Sequence, residues 1–82
     1  MHITVKLFAL MRENVGTDTI DLVLPEGVDI AQALAVLQHQ YPVLEPYLNN
    51  VRLSLHMEFV DAEMILHTGD ELALIPPVSG GA

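Results

Sequence analysis

The stretch Pro76-Pro77-Val78-Ser79-Gly80-Gly81-Ala82 holds the residues whose spacing suggests chemistry. Two adjacent glycines follow a stiff, proline-started stalk. Glycine lacks Cβ, so a Gly-Gly backbone can enter a slot too narrow for other residues and adopt conformations they avoid. The two prolines fix φ and keep Ile75 and Pro76 out of helix, so the stalk should leave the body extended. Such a segment offers a peptide carboxylate presented as a reagent. The competing reading is an ordinary frayed end, where disorder concentrates. The remainder of the chain decides between them.

The body offers no catalytic set of its own. His2, His39, His56 and His67 fall on different expected elements. No HxxxH or HExxH spacing and no cysteine accompanies them, so a zinc site is disfavoured. His56 stands out because it opens the hinge between the third and fourth expected strands. Asp61, Glu63, Asp70 and Glu71 are close in sequence. Paired carboxylates can do acid–base work, but these fall in expected turns with no nucleophile nearby and read as solvated turn acids. Ser79 has no histidine or aspartate placed to activate it. No glycine-rich phosphate loop precedes a helix. A small body without an active site, carrying a threadable tail, suits a carrier better than an enzyme.

The elements that must position the tail are legible from periodicity. His2 to Ala9 reads as a strand with Ile3, Val5 and Leu7 facing a core. Phe8 then points to the other face, either covered locally or available to a partner. Leu10 to Gly16 looks like one short helical turn closed by glycine. Thr19 to Leu24 alternates again, with Ile20, Leu22 and Leu24 on one face, until Pro25-Glu26-Gly27 breaks it. An antiparallel pair of these two strands is expected. Asp29 is a candidate N-cap. Ile30 to Gln40 carries the amphipathic stripe Ile30, Ala33, Leu34, Leu37, with Val36 further round, and Tyr41-Pro42 ends it. Val43 to Leu48 is short, with Pro46 limiting it. Val51 to Leu55 is a third strand, with Val51, Leu53 and Leu55 inward. Phe59-Val60 is a brief fourth, and Glu63 to Leu66 bridges to the turn His67-Thr68-Gly69-Asp70. Glu71 to Ile75 is the last strand. The order strand, strand, helix, strands gives an α+β fold: a small mixed sheet with one main helix across it. The first and last strands are expected together at its centre as a parallel pair. Residues 1–75 form the domain and residues 76–82 the tail.

Composition narrows the partners. Eighty-two residues make one domain. Eleven acids stand against Lys6, Arg12 and Arg52, a formal charge of −8. A basic nucleic-acid footprint is absent, and binding to an anionic membrane surface is disfavoured for the same reason. The acidity serves either solubility or steering towards a basic protein partner. No apolar run approaches the roughly 20 residues of a membrane span. The absence of cysteine is compatible with the cytoplasm, and no targeting motif is visible, so a cytoplasmic protein is expected.

The segments Leu7-Phe8-Ala9, Arg12-Glu13, Val15-Gly16 and Gly69-Asp70-Glu71-Leu72-Ala73-Leu74-Ile75-Pro76-Pro77-Val78-Ser79-Gly80-Gly81 resemble the sulfur-carrying small subunits of molybdopterin synthase. These are the MoaD family of the MoaD/ThiS ubiquitin-like superfamily. The resemblance runs the length of the chain and is most specific at the tail; the middle, from Ile30 to Asn50, agrees only in pattern. It implies the ubiquitin-like β-grasp fold. It implies that Gly81 is adenylated by a ubiquitin-activating-like enzyme using Mg-ATP, then converted to a thiocarboxylate by a persulfide sulfur donor, with no cofactor bound by the body itself. It implies insertion of the charged tail into the large catalytic subunit, where its sulfur builds the dithiolene of the pterin. Two carriers are then consumed per product, and two small subunits assemble with two large ones. Gly80 is the slim neighbour the slot requires, and Pro76, Pro77, Val78 and Ser79 form the inserted stalk. From Pro76 to Gly81 that stalk reaches at most about 20 Å. Phe8 and Ile75 belong to the hydrophobic docking surface, with Arg12 as a rim charge. Two departures stand out. The family usually ends at the second glycine, so Ala82 is trimmed, is foreign to the natural chain, or marks a protein not charged in the usual way; trimming or a foreign residue is the expectation. His56 stands where relatives commonly have asparagine, which tolerates left-handed backbone better. The alternatives are a related carrier for thiamine or cysteine synthesis, or a ubiquitin-like protein tag.

Overall fold

The computed structural model describes residues 1–77; Val78, Ser79, Gly80, Gly81 and Ala82 lie outside the described residues. The strands are β1 His2–Leu7, β2 Thr19–Val23, β3 Arg52–Leu55, β4 Glu58–Val60 and β5 Glu71–Ile75. The helices are α1 Ala9–Val15, α2 Ile30–Gln40 and α3 Glu45–Leu48, with a 3-10 turn at Pro42–Leu44. The five strands form one sheet in the order β2-β1-β5-β3-β4. β1 and β5 are parallel, with Val5 opposite Leu72 and Leu7 opposite Leu74. All other pairings are antiparallel. The first and last strands therefore meet at the centre, as the sequence predicts.

Alternation makes the sheet two-faced. Ile3, Val5, Leu7, Leu72 and Leu74 are fully buried on the inner face. α2 lays Ile30, Ala33 and Leu37 against them, and Leu44 from the 3-10 turn closes the same core. Burying each large aliphatic side chain contributes about 1.5–3 kcal/mol. α2 begins where expected: the Asp29 carboxylate accepts from Gln32 N–H, and the Gln32 side chain accepts from Asp29 N–H, closing a capping box. The segment from Ala62 to Leu66 forms no strand beyond one bridge at Ile65. Its carbonyls at Ala62 and Met64 accept from Ala31 and Ile30 and so satisfy orphan donors of the first turn of α2.

Several expectations need correction. β1 stops at Leu7, not Ala9, because Ala9 takes a left-handed backbone (φ +52°) that turns the chain into α1. Pro46 does not limit its segment. It sits in the first turn of α3, where a missing N–H costs nothing. Val51 and Leu53 pack against the core as expected but are only half-buried, whereas Ser54 on the opposite face is buried between Ala73 and Phe59. That burial reflects an aromatic lying beside it on β4, a pairing that strand periodicity alone does not give.

Leu74 is the most informative core position, because it faces α2 from the central strand. Leu74→Ala should cost about 2–5 kcal/mol in urea unfolding, with the midpoint lowered and the slope retained. A loss under about 1 kcal/mol would contradict the central placement of β5.

Candidate functional site

The outer face of the sheet is built from the residues that alternate away from the core. Lys6 on β1, Ala73 on β5, Ser54 on β3 and Phe59 on β4 stand in register across four strands. One step towards the tail, Arg52 pairs with Ile75. Phe8 follows Leu7, whose partner Leu74 precedes Ile75, so the two residues expected to dock a partner come to the same end of the central strand pair. Phe8 is 41% exposed and lies outside the buried core. Ile75 is half-buried. Pro76 and Pro77 continue from β5 without helix or strand. The stalk thus starts at the edge of an exposed apolar face. The other predicted tail residues, Val78, Ser79, Gly80 and Gly81, lie outside the described residues.

Three members of this face were not singled out in the sequence. Phe59 is 61% exposed, and the Arg52 guanidinium lies 4.3 Å from its ring centroid, within cation–π range. Met57 is 98% exposed. With Phe8, Ser54 and Lys6 it borders a recess of about 300 Å³. Arg12 is exposed and shares a smaller recess with Lys6, Phe8 and Asp18. The Lys6 ammonium lies 3.9 Å from the Glu71 carboxylate, in a pair exposed enough to be worth little. The alternation of Glu58, Phe59 and Val60 was the available signal for Phe59, but its neighbours depend on strand pairing.

The turn between β3 and β4 holds Met57 on this face. His56 and Met57 have φ of +50° and +69°, the hand that a two-residue type I′ turn demands. Neither is glycine or asparagine, so the turn needs support. Asp70 supplies it. His56 Nε2 is 3.0 Å from Asp70 Oδ1, and His67 N–H donates to Asp70 Oδ2 at 2.8 Å. Asp70 is therefore not a solvated turn acid. It is 9% exposed and ties the β3–β4 hairpin to the turn that starts β5. Burial by itself would raise its pKa. The His67 N–H, the His56 side chain and the charges of His56 and His67 together outweigh burial and hold the carboxyl below the usual aspartate value. The four histidines form no metal site with the acids among the described residues. His56 and His67 meet through Asp70, which the sequence reading left apart.

The sequence profile of the ThiS family matches residues 5–81. A molybdopterin synthase sulfur carrier subunit of Arabidopsis thaliana is 38% identical over 81 residues, covering 99% of this chain and 84% of the relative. One from Dictyostelium discoideum is 37% identical over 79 residues, covering 92% and 91%. Among solved structures, SAMP1 from Haloferax volcanii superposes with a TM-score of 0.89 at 29% identity, covering 99% of this chain and 100% of that one. A chain from the complex of subunits 1 and 2 of the molybdopterin-converting factor of Helicobacter pylori shares the fold, with a TM-score of 0.73 at 24% identity, covering 99% and 100%. The mixed sheet with a helix across it is the ubiquitin-like β-grasp.

Asp70 has a lowered folded-state pKa, so its contribution is complete above the unfolded value of about 3.9 and is lost as pH falls through the folded value. The stability difference between the natural chain and Asp70→Asn should therefore shrink progressively below about pH 4. Urea denaturation across that range measures it; a difference independent of pH would refute the assignment.

Proposed function

The chain belongs to the ThiS family, and on that premise we propose that it is the sulfur carrier subunit of a molybdopterin synthase. The observation that carries this reading is the face formed by exposed Phe8 and Phe59 with half-buried Ile75 at the root of the Pro76-Pro77 stalk. The curated relatives named above support it. In this reading the body is a grip. Its outer face docks on a partner, and the stalk places Gly80 and Gly81 in the partner's slot.

The chemistry follows from the weakness of a carboxylate as an electrophile. An adenylating enzyme joins the Gly81 carboxylate to the α-phosphate of Mg-ATP and releases pyrophosphate. A persulfide sulfur then attacks the acyl carbon and AMP leaves. Cleavage of the remaining S–S bond by a thiol gives the thiocarboxylate. This requires that Ala82 be removed first. The large catalytic subunit then takes up the charged tail, and the sulfur is transferred to the precursor pterin. Two transfers complete a dithiolene, which fits an assembly of two small and two large subunits. Phe8 is the anchor: an exposed aromatic beside a half-buried aliphatic is the kind of group that dominates a docking surface. Arg12 lies on its rim.

A second reading has its own support. The Haloferax volcanii protein of the same fold is a small archaeal modifier protein. A protein tag would use the same activated Gly81 but pass it to a lysine amine.

Mass spectrometry of the protein from its native cells separates the two. The carrier reading expects a species ending at Gly81 and heavier by the difference between one sulfur and one oxygen atom. The tag reading expects an isopeptide bond from Gly81 to lysine. Phe8→Asp should weaken binding to the large subunit by about 30-fold or more, as loss of an interface anchor does. Unchanged affinity in a titration of purified subunits would remove Phe8 from the docking surface.

A further inference from the structure

The three basic residues of this chain gather at one face. Only Lys6, Arg12 and Arg52 are basic, against eleven acids. All three border the outer face. Lys6 stands in its central row, opposite Ala73. Arg52 stands opposite Ile75 and over Phe59. Arg12 shares the recess beside Phe8. They surround the apolar centre at the root of the stalk. Asp21 and Glu71 also alternate to the outer face, in the row beyond Lys6 and Ala73 as counted from Phe8 and Ile75, whereas Glu26, Asp29, Glu45, Asp61 and Glu63 lie on turns and helix ends outside the five strands.

From this arrangement we infer that the docking face recognises a partner surface with an apolar centre ringed by carboxylates. The inference rests on the carrier reading and names the chemistry of the large subunit's side of the contact. The net charge of −8 points the other way, towards a basic partner. Local charge decides, because at physiological ionic strength charges are screened beyond about 8 Å. Only groups at the contact are then felt strongly. Arg52 is suited to the task. Its guanidinium is planar, always charged and already oriented on Phe59, so less freedom is lost when it pairs with a carboxylate. Arg12 lies at the rim, where charge acts mainly on the rate of encounter. Asp18, Asp21 and Glu71 keep the face from being uniformly positive. Neither Arg12 nor Arg52 has a carboxylate within 4.0 Å among the described residues.

The sign of one measurement tests this. Association of the full chain with the purified large subunit is followed by stopped flow at low and high salt. The double variant Arg12→Glu, Arg52→Glu should associate about tenfold or more slowly at low salt, with the difference closing at high salt. Glu26→Lys, far from the face, should change the rate little. Variants of unchanged far-ultraviolet circular dichroism are used, and Arg12→Gln, Arg52→Gln replaces the double charge reversal should it fail to fold. An unchanged or faster rate in the arginine variants, with the natural chain binding normally, overturns the acidic-ring inference and leaves the carrier reading standing. Failure of the natural chain itself to bind the large subunit overturns both.

Discussion

The parallel ladder between β1 and β5 is the interaction on which everything else depends. It joins residues almost the whole chain apart and inserts the last strand into the middle of the sheet. That placement buries Leu72 and Leu74 completely and fixes where the chain leaves the body. A strand hydrogen-bonded on both sides cannot drift, so its end is a rigid point of departure. The bonds from Thr4 N–H to Asp70 O and from Gly69 N–H to His2 O extend the same clamp into the preceding turn. A tail meant to reach a reacting centre in another protein needs such a fixed root, because freedom at the root would be lost on insertion.

The same ladder produces the proposed docking face. A sheet covered by a helix on one side leaves the other side to solvent, and there the alternation places Phe8, Ile75 and Phe59. The apolar residues of that side contribute nothing to the core. The exposure of Phe8 and Phe59 fits a surface kept for a partner. The hairpin at His56-Met57 extends this face, and the buried carboxylate of Asp70 stabilises a turn made without glycine or asparagine. Fold and site therefore share one set of pairings.

How much of this was legible differs by element. The core face of β1, β2 and β5, the extent of α2 and its Asp29 cap follow from local periodicity and turn chemistry, and the structure agrees. Phe8 and Ile75 were marked by resemblance and stand together because of the parallel pairing. Phe59, Arg52 and Met57 were invisible as a group. Their meeting depends on the register of β3 with both β4 and β5, which no single segment encodes. Asp70 reads as a solvated turn acid for the same reason. A carboxylate in a turn is ordinarily solvated, and only the fold brings His56 beside it. Ser54 shows the converse: a polar residue on the outer side is buried because an aromatic neighbour happens to cover it.

Lys6 is the only lysine in the chain. Its amine lies against Glu71 in the central row of the docking face. Any polymer of this protein linked through lysine side chains must grow from that one amine. Each added unit would then sit over the surface by which the unit beneath it is gripped. Such growth would be unbranched, because each unit offers a single lysine amine, and every unit but the outermost would have that surface obstructed.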